Sequence, residues 1–187
     1  MATNNAVNKI PVITGTSNQI TVVNAADNST STISAASTQL STTQPMFSAT
    51  LTSTIAAATG DGTAYTVLFD SALNNQGSSY NTGTGIFTAP ATAVYLFVTG
   101  ILTQAGDINT SVELDLTLNT GRWVLAYSSI SVAATALVFY KGSAIVPLTS
   151  GDTAKIVYTA SGASKTSTVN GTANPNPNCY FCGYLLH

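Results

Sequence analysis

The chain has 187 residues, enough for one ordinary domain with a small appendage, and only 6% of them are charged, against a usual level of about 25%. Apolar residues make up 44%, Ser, Thr and Asn roughly a third, and the net charge is −2. The five cations, Lys9, Arg122, Lys141, Lys155 and Lys165, are scattered, so no basic stripe exists to neutralise phosphates and a nucleic-acid role is excluded. No apolar run reaches the ~18 residues that span a bilayer. "MATNNAVNKIPVITG" lacks the cationic start and apolar stretch of a signal peptide. Export would then need another route, such as assembly into a virus particle followed by lysis.

Residues 1–44 are polar and small. The β-prone pieces "PVIT", "QITVV" and "STIS" are separated by Gly, Asn and Asp. Each is too short to bury a core alone, so the segment is expected to be disordered or ordered by neighbouring chains. The pattern changes at Met46, and residues 45–187 read as a β-rich head. "MFSATLTSTI" alternates as a strand, "GDGTAY" is a turn, and "YTVLF" is a short strand before the loop "NNQGSSYNTGTG". "GIFTAP" enters a strand, and "AVYLFVTGIL" reads as a strand buried on both faces. "SVELDLTL" alternates strictly, with Val112, Leu114, Leu116 and Leu118 on one face and Glu113, Asp115 and Thr117 on the other. "RWVLAYSSIS", "ATALVFYKGSAIVPL" and "TSGDTAKIVYTAS" follow. "NPNPN" is a rigid loop, and "CYFCGYLL" is the last strand. No stretch carries a helical period with caps. About eight to ten short strands predict an all-β sandwich or jelly roll.

The head resembles the complement C1q-like branch of the tumour-necrosis-factor superfamily. "MFSATL", with Phe47, is similar to that family's opening strand. The Phe-Asp, Asn-x-Gly, Tyr, Thr-Gly-x-Phe-Thr-x-Pro and Tyr-x-Phe series appears as Phe69-Asp70, Asn75 and Gly77, Tyr80, Thr84-Gly85-Ile86-Phe87-Thr88-Ala89-Pro90, then Tyr95 and Phe97. Ala93 stands where the family has glycine. "LTSGDTAKIVY", with Gly151 and Asp152, is similar to the family's Gly-Asp strand, with Ala154 replacing Val. "CYFCGYLL", with Phe181, Gly183 and Leu185, is similar to its closing strand, with Cys182 in place of the common Ser. The resemblance implies a ten-stranded antiparallel jelly roll, structural roles for these residues, and a tight homotrimer that binds proteins or glycans. Calcium sites known in some members map onto no acidic residue here. The N-terminal segment "ITGTSNQITVVN…STSTIS" also resembles a segment that precedes the heads of phage tail fibres.

The chemistry-bearing residues point away from an enzyme. Cys179 and Cys182 are three apart on a strand, so they face opposite ways and do not pair. One such motif also gives too few zinc ligands. His187 is terminal. Only three copies meeting on a threefold axis would make it a metal ligand. It is also the only histidine, and no G-x-S-x-G is present, so a hydrolase triad is missing. Glu113 and Asp115 share a strand face, as paired carboxylates would, but a regular strand presents them to solvent. The phosphate-cradle motif is absent from "GTGIFT". No cofactor is implied. The sequons at Asn28, Asn109 and Asn170 are what chance yields in such a composition.

Recognition is expected on loops. Gly60–Ala64, Asn75–Gly83 and Ser161–Pro177 are the candidates, with Asn75, Ser78, Tyr80 and Asn81 as ligand-contacting residues. Trp123 and Tyr127, with Tyr140, form a second candidate, an aromatic platform for sugars. The reading that follows is a non-enzymatic trimeric attachment head, a receptor-binding or structural part of a phage fibre or virion. Residues 1–44 would contact other virion or fibre proteins, and the head would meet a host-cell surface glycan or protein. A bacterial surface or secreted adhesin, or a purely structural capsid or decoration protein, are the alternatives. Few charges, Thr-rich strands and Pro-stiffened loops suit an exposed particle component resistant to heat and proteases.

Overall fold

The structure, a computed structural model, describes residues 13–16, 19–23, 30–34, 44–105, 110–129, 135–162 and 164–186. The chain divides into two units, 1–42 and 43–187. In the first, β1 (Ile13–Thr16), β2 (Gln19–Val23) and β3 (Thr30–Ser34) form a three-stranded antiparallel sheet in chain order. Thr14 faces Thr21, and Thr21 faces Thr32. The described pieces of this segment thus pair within the chain. Its β-prone pieces satisfy their backbone groups on one another, which a meander of Thr-rich strands does locally.

The second unit is an antiparallel sandwich of two sheets. The first sheet runs β5 (Ile55–Thr59), β15 (Ser167–Val169), β10 (Ala93–Gln104), β16 (Tyr180–Leu185), β4 (Met46–Thr50) and β7 (Ser71–Gln76), with β13 (Leu137–Leu148) also on β10. The long β10 pairs with β13 along its whole length on one side, and with β16 and then β15 on the other. The second sheet runs β12 (Gly121–Ser128), β11 (Ser111–Leu118), β14 (Thr153–Ser161), β9 (Ile86–Thr88) and β8 (Tyr80–Asn81), with β6 (Tyr65–Thr66) also on β14. Among the described residues there is no helix. The all-β jelly roll expected from the sequence is thus present. Its strands are more numerous and shorter than the ten expected, because the two- and three-residue pairings β6, β8, β9 and β15 break the long ladders.

Aromatic rings fill the space between the sheets. Phe47, Phe69, Phe87, Tyr95, Phe97 and Phe181 are essentially inaccessible, and Tyr80 is 3% exposed. Phe47 from the first sheet stacks on Tyr80 of the second at 4.7 Å and meets Phe181 edge-on at 4.8 Å. Each such pair adds about 0.5–1.5 kcal/mol beyond the area it buries. Gly183 makes room for this stack, since a Cβ there would lie 2.2 Å from the Phe47 ring.

β10 differs from expectation. Tyr95, Phe97, Thr99, Ile101 and Thr103 point into the core, but Val94, Leu96, Val98 and Leu102 on its other face are only half-buried. Among the described residues of this unit, no second layer covers that side of the sheet. "SVELDLTL" alternates as expected, with one departure: Asp115, expected in solvent, is 4% exposed.

Candidate binding surfaces

The motif residues build the frame of the head. Asp70 accepts hydrogen bonds from the Thr52 N–H at 2.8 Å and the Thr52 hydroxyl at 2.7 Å. Asp152 accepts from the Asn119 amide at 2.9 Å and the Thr149 N–H at 2.8 Å. Asn119 in turn accepts from the Thr153 N–H at 3.0 Å. Those hydrogen bonds hold the Asp152 carboxyl below the usual range, with the Asn119 amide the largest cause. They tie two turns at one end of the second sheet. Gly151, at φ +93°, supplies the left-handed residue that lets Asp152 turn back. Gly85, at φ +70°, admits the chain against the Val67 carbonyl, which a Cβ would approach to 2.9 Å. Leu185, half-buried, closes the last strand with its N–H on the Pro45 carbonyl at 3.2 Å.

The loop at 75–83 splits into frame and surface. Asn75 donates to the Tyr80 carbonyl at 2.7 Å and accepts from the Tyr80 N–H at 3.1 Å. It completes the backbone pairing of Tyr80 as a neighbouring strand would. Tyr80 is buried, with its hydroxyl donating to the Phe69 carbonyl at 3.3 Å. The placement of Tyr80 among ligand-contacting residues is therefore corrected, since its ring is buried, while the half-buried Asn75 spends its oxygen and one N–H on closing the loop. Ser78, at φ +51°, and Asn81 stand exposed. Asn81 accepts from the Gly83 N–H at 2.9 Å, which shapes the next turn.

The aromatic platform does not assemble. Trp123 lies opposite Leu116 and Tyr127 opposite Glu113, so the two sit on opposite faces of β12. The reason is a bulge: Val124 pairs with Asp115 and Ala126 with Leu114, leaving Leu125 unpaired. Leu125 presses on β13 at Gly142, where a Cβ would lie 2.7 Å from it. Tyr140 is buried. Trp123 and Tyr127 are 48% and 63% exposed, but as separate features of an edge strand.

The outer face of the second sheet carries an ion cluster. One Arg122 nitrogen, Nη1, donates to Glu113 Oε1 at 2.7 Å and to Asp115 Oδ2 at 2.8 Å. Asp115 lies between Val124 and Val157 in the cross-strand row. Burial pushes its carboxyl above the usual range, and the Arg122 hydrogen bond works against that shift. Its Oδ1 accepts no hydrogen bond among the described residues. An arginine shared by both carboxylates is a structural clamp.

The cysteines are free and face opposite ways. Cys179 lies in the core, where burial pushes its thiol up to about 11. Cys182 faces outward beside the Ser48 hydroxyl at 3.4 Å. Among the described residues no cluster of His, Cys, Asp and Glu could hold a metal. His187, and the sequons at Asn28 and Asn109, lie outside the described residues.

The outer face of the first sheet is the surface that sequence reasoning missed. Leu137, Phe139 and Ile145 of β13 are 62%, 44% and 58% exposed, and Tyr184 of β16 is 42% exposed. They continue into the half-buried Val94, Leu96, Val98 and Leu102 of β10. At the centre, Phe139 and Tyr180 lie 6.4 Å apart across Gly100, where a Cβ would meet both rings. The signal was available in "LVFYKGSAIVPL", which is apolar at both odd and even positions.

A two-sheet jelly roll whose motif residues tie its turns, and whose one sheet is apolar on both faces, defines a head of the C1q and tumour-necrosis-factor class. The C1q domain family matches residues 46–186, and the chain belongs to that family. The globular domain of the zebrafish complement 1qA protein is similar in structure, with TM-score 0.55 and 21% identity, covering 77% of this chain and 98% of that one. Murine APRIL (at pH 8.0) gives TM-score 0.52 and 14% identity, covering 76% and 99%. The Eiger TNF of S. frugiperda gives TM-score 0.52 and 14% identity, covering 77% and 94%. No curated protein matches the chain. At these identities the likeness is one of fold.

Proposed function

We propose that this chain is a non-enzymatic, homotrimeric binding head. The carrying observation is the outer face of the first sheet, with Leu137, Phe139, Ile145 and Tyr184 exposed on one side of a regular sheet. Apolar side chains in such a contiguous patch mark an interface. Two further copies around a threefold axis would cover it, and membership of the C1q family supports that arrangement. The exposed Ser78 and Asn81, with the Gly60–Ala64 and Ser161–Pro177 loops, then present adaptable polar groups to a ligand, a surface glycan or protein. Three weak sites per head gain avidity through effective concentration.

The finer reading is an attachment or structural component of a phage fibre or virion, with residues 1–44 as the segment that joins other virion or fibre proteins. The near absence of charge and the resemblance of that segment to phage fibre sequences support it. The test is solution mass by light scattering after size exclusion. A mass near three times 19.1 kDa supports the trimer, and a monomer at all concentrations overturns it. Binding of the purified protein to host cells, abolished when Ser78 and Asn81 are replaced by bulky residues, tests attachment.

A further inference from the structure

The first sheet has seven strands, and they carry a single charged residue, Lys141. It sits in the outward row of β13 between Phe139 and Ser143, directly opposite Gly100. Beside it lies a depression of about 320 Å³, lined by Val98, Thr99, Lys141, Gly142, Ser143 and Tyr180. Among these lining residues Lys141, Ser143 and Tyr180 carry an ammonium, a hydroxyl and a phenol, all able to donate hydrogen bonds. The β10 and β13 backbones beneath are occupied by their own ladder.

This face is the one that the trimer reading covers. An ammonium covered by a second subunit loses its water and needs a counter-charge. None of the described acids of the chain lies on a strand of this sheet, and each is held elsewhere. Asp61 accepts from the Thr63 N–H, Asp70 from Thr52, Asp152 from Asn119 and Thr149, and Glu113 and Asp115 share Arg122. We propose that the depression beside Lys141 holds a small inorganic oxyanion, of the sulfate or phosphate type, between subunits, so that assembly is coupled to anion binding. The inference rests on the homotrimer reading.

The test is a dilution series of the full chain, followed by light scattering, in sodium sulfate and in sodium chloride at equal ionic strength. Sulfate strengthens burial in any protein, so the readout is the difference between the wild type and Lys141→Met. With sulfate at about ten times the Kd of the site, the wild-type association constant rises about tenfold per occupied site. Lys141→Met shows only the general salt effect, and Lys141→Arg keeps the response. Should Lys141→Met aggregate through its widened apolar face, Lys141→Gln takes its place. Equal responses in wild type and Lys141→Met, or none in either, overturn anion coupling while leaving the trimer standing. A wild type that is monomeric in both salts overturns the trimer and the anion site together. A monomer in chloride that becomes a trimer in sulfate is the strongest support.

Discussion

The two sheets of the head bury the same core but face outward differently. The second sheet turns Glu113, Asp115, Thr117, Arg122, Lys155 and Thr159 to its outer side, with an ion cluster held at 2.7 and 2.8 Å. The first sheet turns out Leu96, Val98, Phe139, Ile145 and Tyr184, with Lys141 alone carrying charge. Both alternate inward and outward with period two, so the inner rows look alike. The outer rows record what each sheet faces. An antiparallel sheet with one wet side alternates apolar with polar; β11 does so and β14 does except at Val157, while the edge strand β12 also turns out Val124 and Tyr127. The first sheet does not, which is the mark of a surface built to be covered.

A lesion in the layer that both sheets share should remove the contrast altogether. Phe47→Ala empties the stack against Tyr80, Phe87 and Phe181 and should cost about 3–5 kcal/mol. A urea midpoint that moves by less than a third of that would show the core to be loosely packed. Next, Ile145→Glu should weaken assembly by at least about a hundredfold, roughly 3 kcal/mol, while the subunit melts as before. Tyr127→Ser on the second sheet should leave the mass unchanged. Light scattering of the two variants together reads the contrast directly, and equal effects would dissolve it.

Gly142→Ala should act between the sheets. Its Cβ would press on the Leu125 backbone, with the Leu125 carbonyl at 2.9 Å, and neither strand can yield cheaply. A loss of about 1–3 kcal/mol in subunit stability is expected by chemical denaturation. Gly100→Ala meets only the far edges of the Phe139 and Tyr180 rings, so it should perturb assembly more than folding.

Arg122→Met tests the second sheet by pH. With its guanidinium gone, Asp115 is held ionised in a buried row without a partner. The folded-state pKa of Asp115 already lies above its ordinary value of 3.8, so its ionisation weakens the fold as pH rises from that value through the folded pKa. The variant should widen this window. It should lose stability at neutral pH and regain part of it in acid. A denaturation midpoint with the same pH dependence as the wild type would show that Arg122 is not the compensating group. The smallest effect concerns Cys179. With its thiol at about 11 and buried, it should resist alkylation in the folded protein and react only after unfolding. Mass-mapped labelling at neutral pH checks this.

The fold was legible because period-two alternation and turn residues act locally. "SVELDLTL" became β11, and β16 lies wholly within "CYFCGYLL". The site was less legible. Asn75 and Tyr80 are polar loop residues by type, yet their hydrogen bonds to one another could be seen only once the loop closed. Trp123 and Tyr127 are four apart, which places them on one face of a regular strand. The bulge at Leu125 moved them to opposite faces, and a bulge has no marker in "RWVLAYS". Asp115 looked solvated because nothing in its own strand says that Val124 and Val157 flank it.

The sequence by itself determined an all-β head from Met46 onward, two thiols that cannot pair, and the scarcity of charge. Those follow from local period, strand geometry and composition. Only the tertiary structure decided which of two similar apolar strand faces is buried within the subunit and which is left for a partner. Alternation fixes that a strand has two sides. Which side meets the other sheet depends on pairings between residues far apart in the chain, such as Gly100 with Lys141 and with Tyr180.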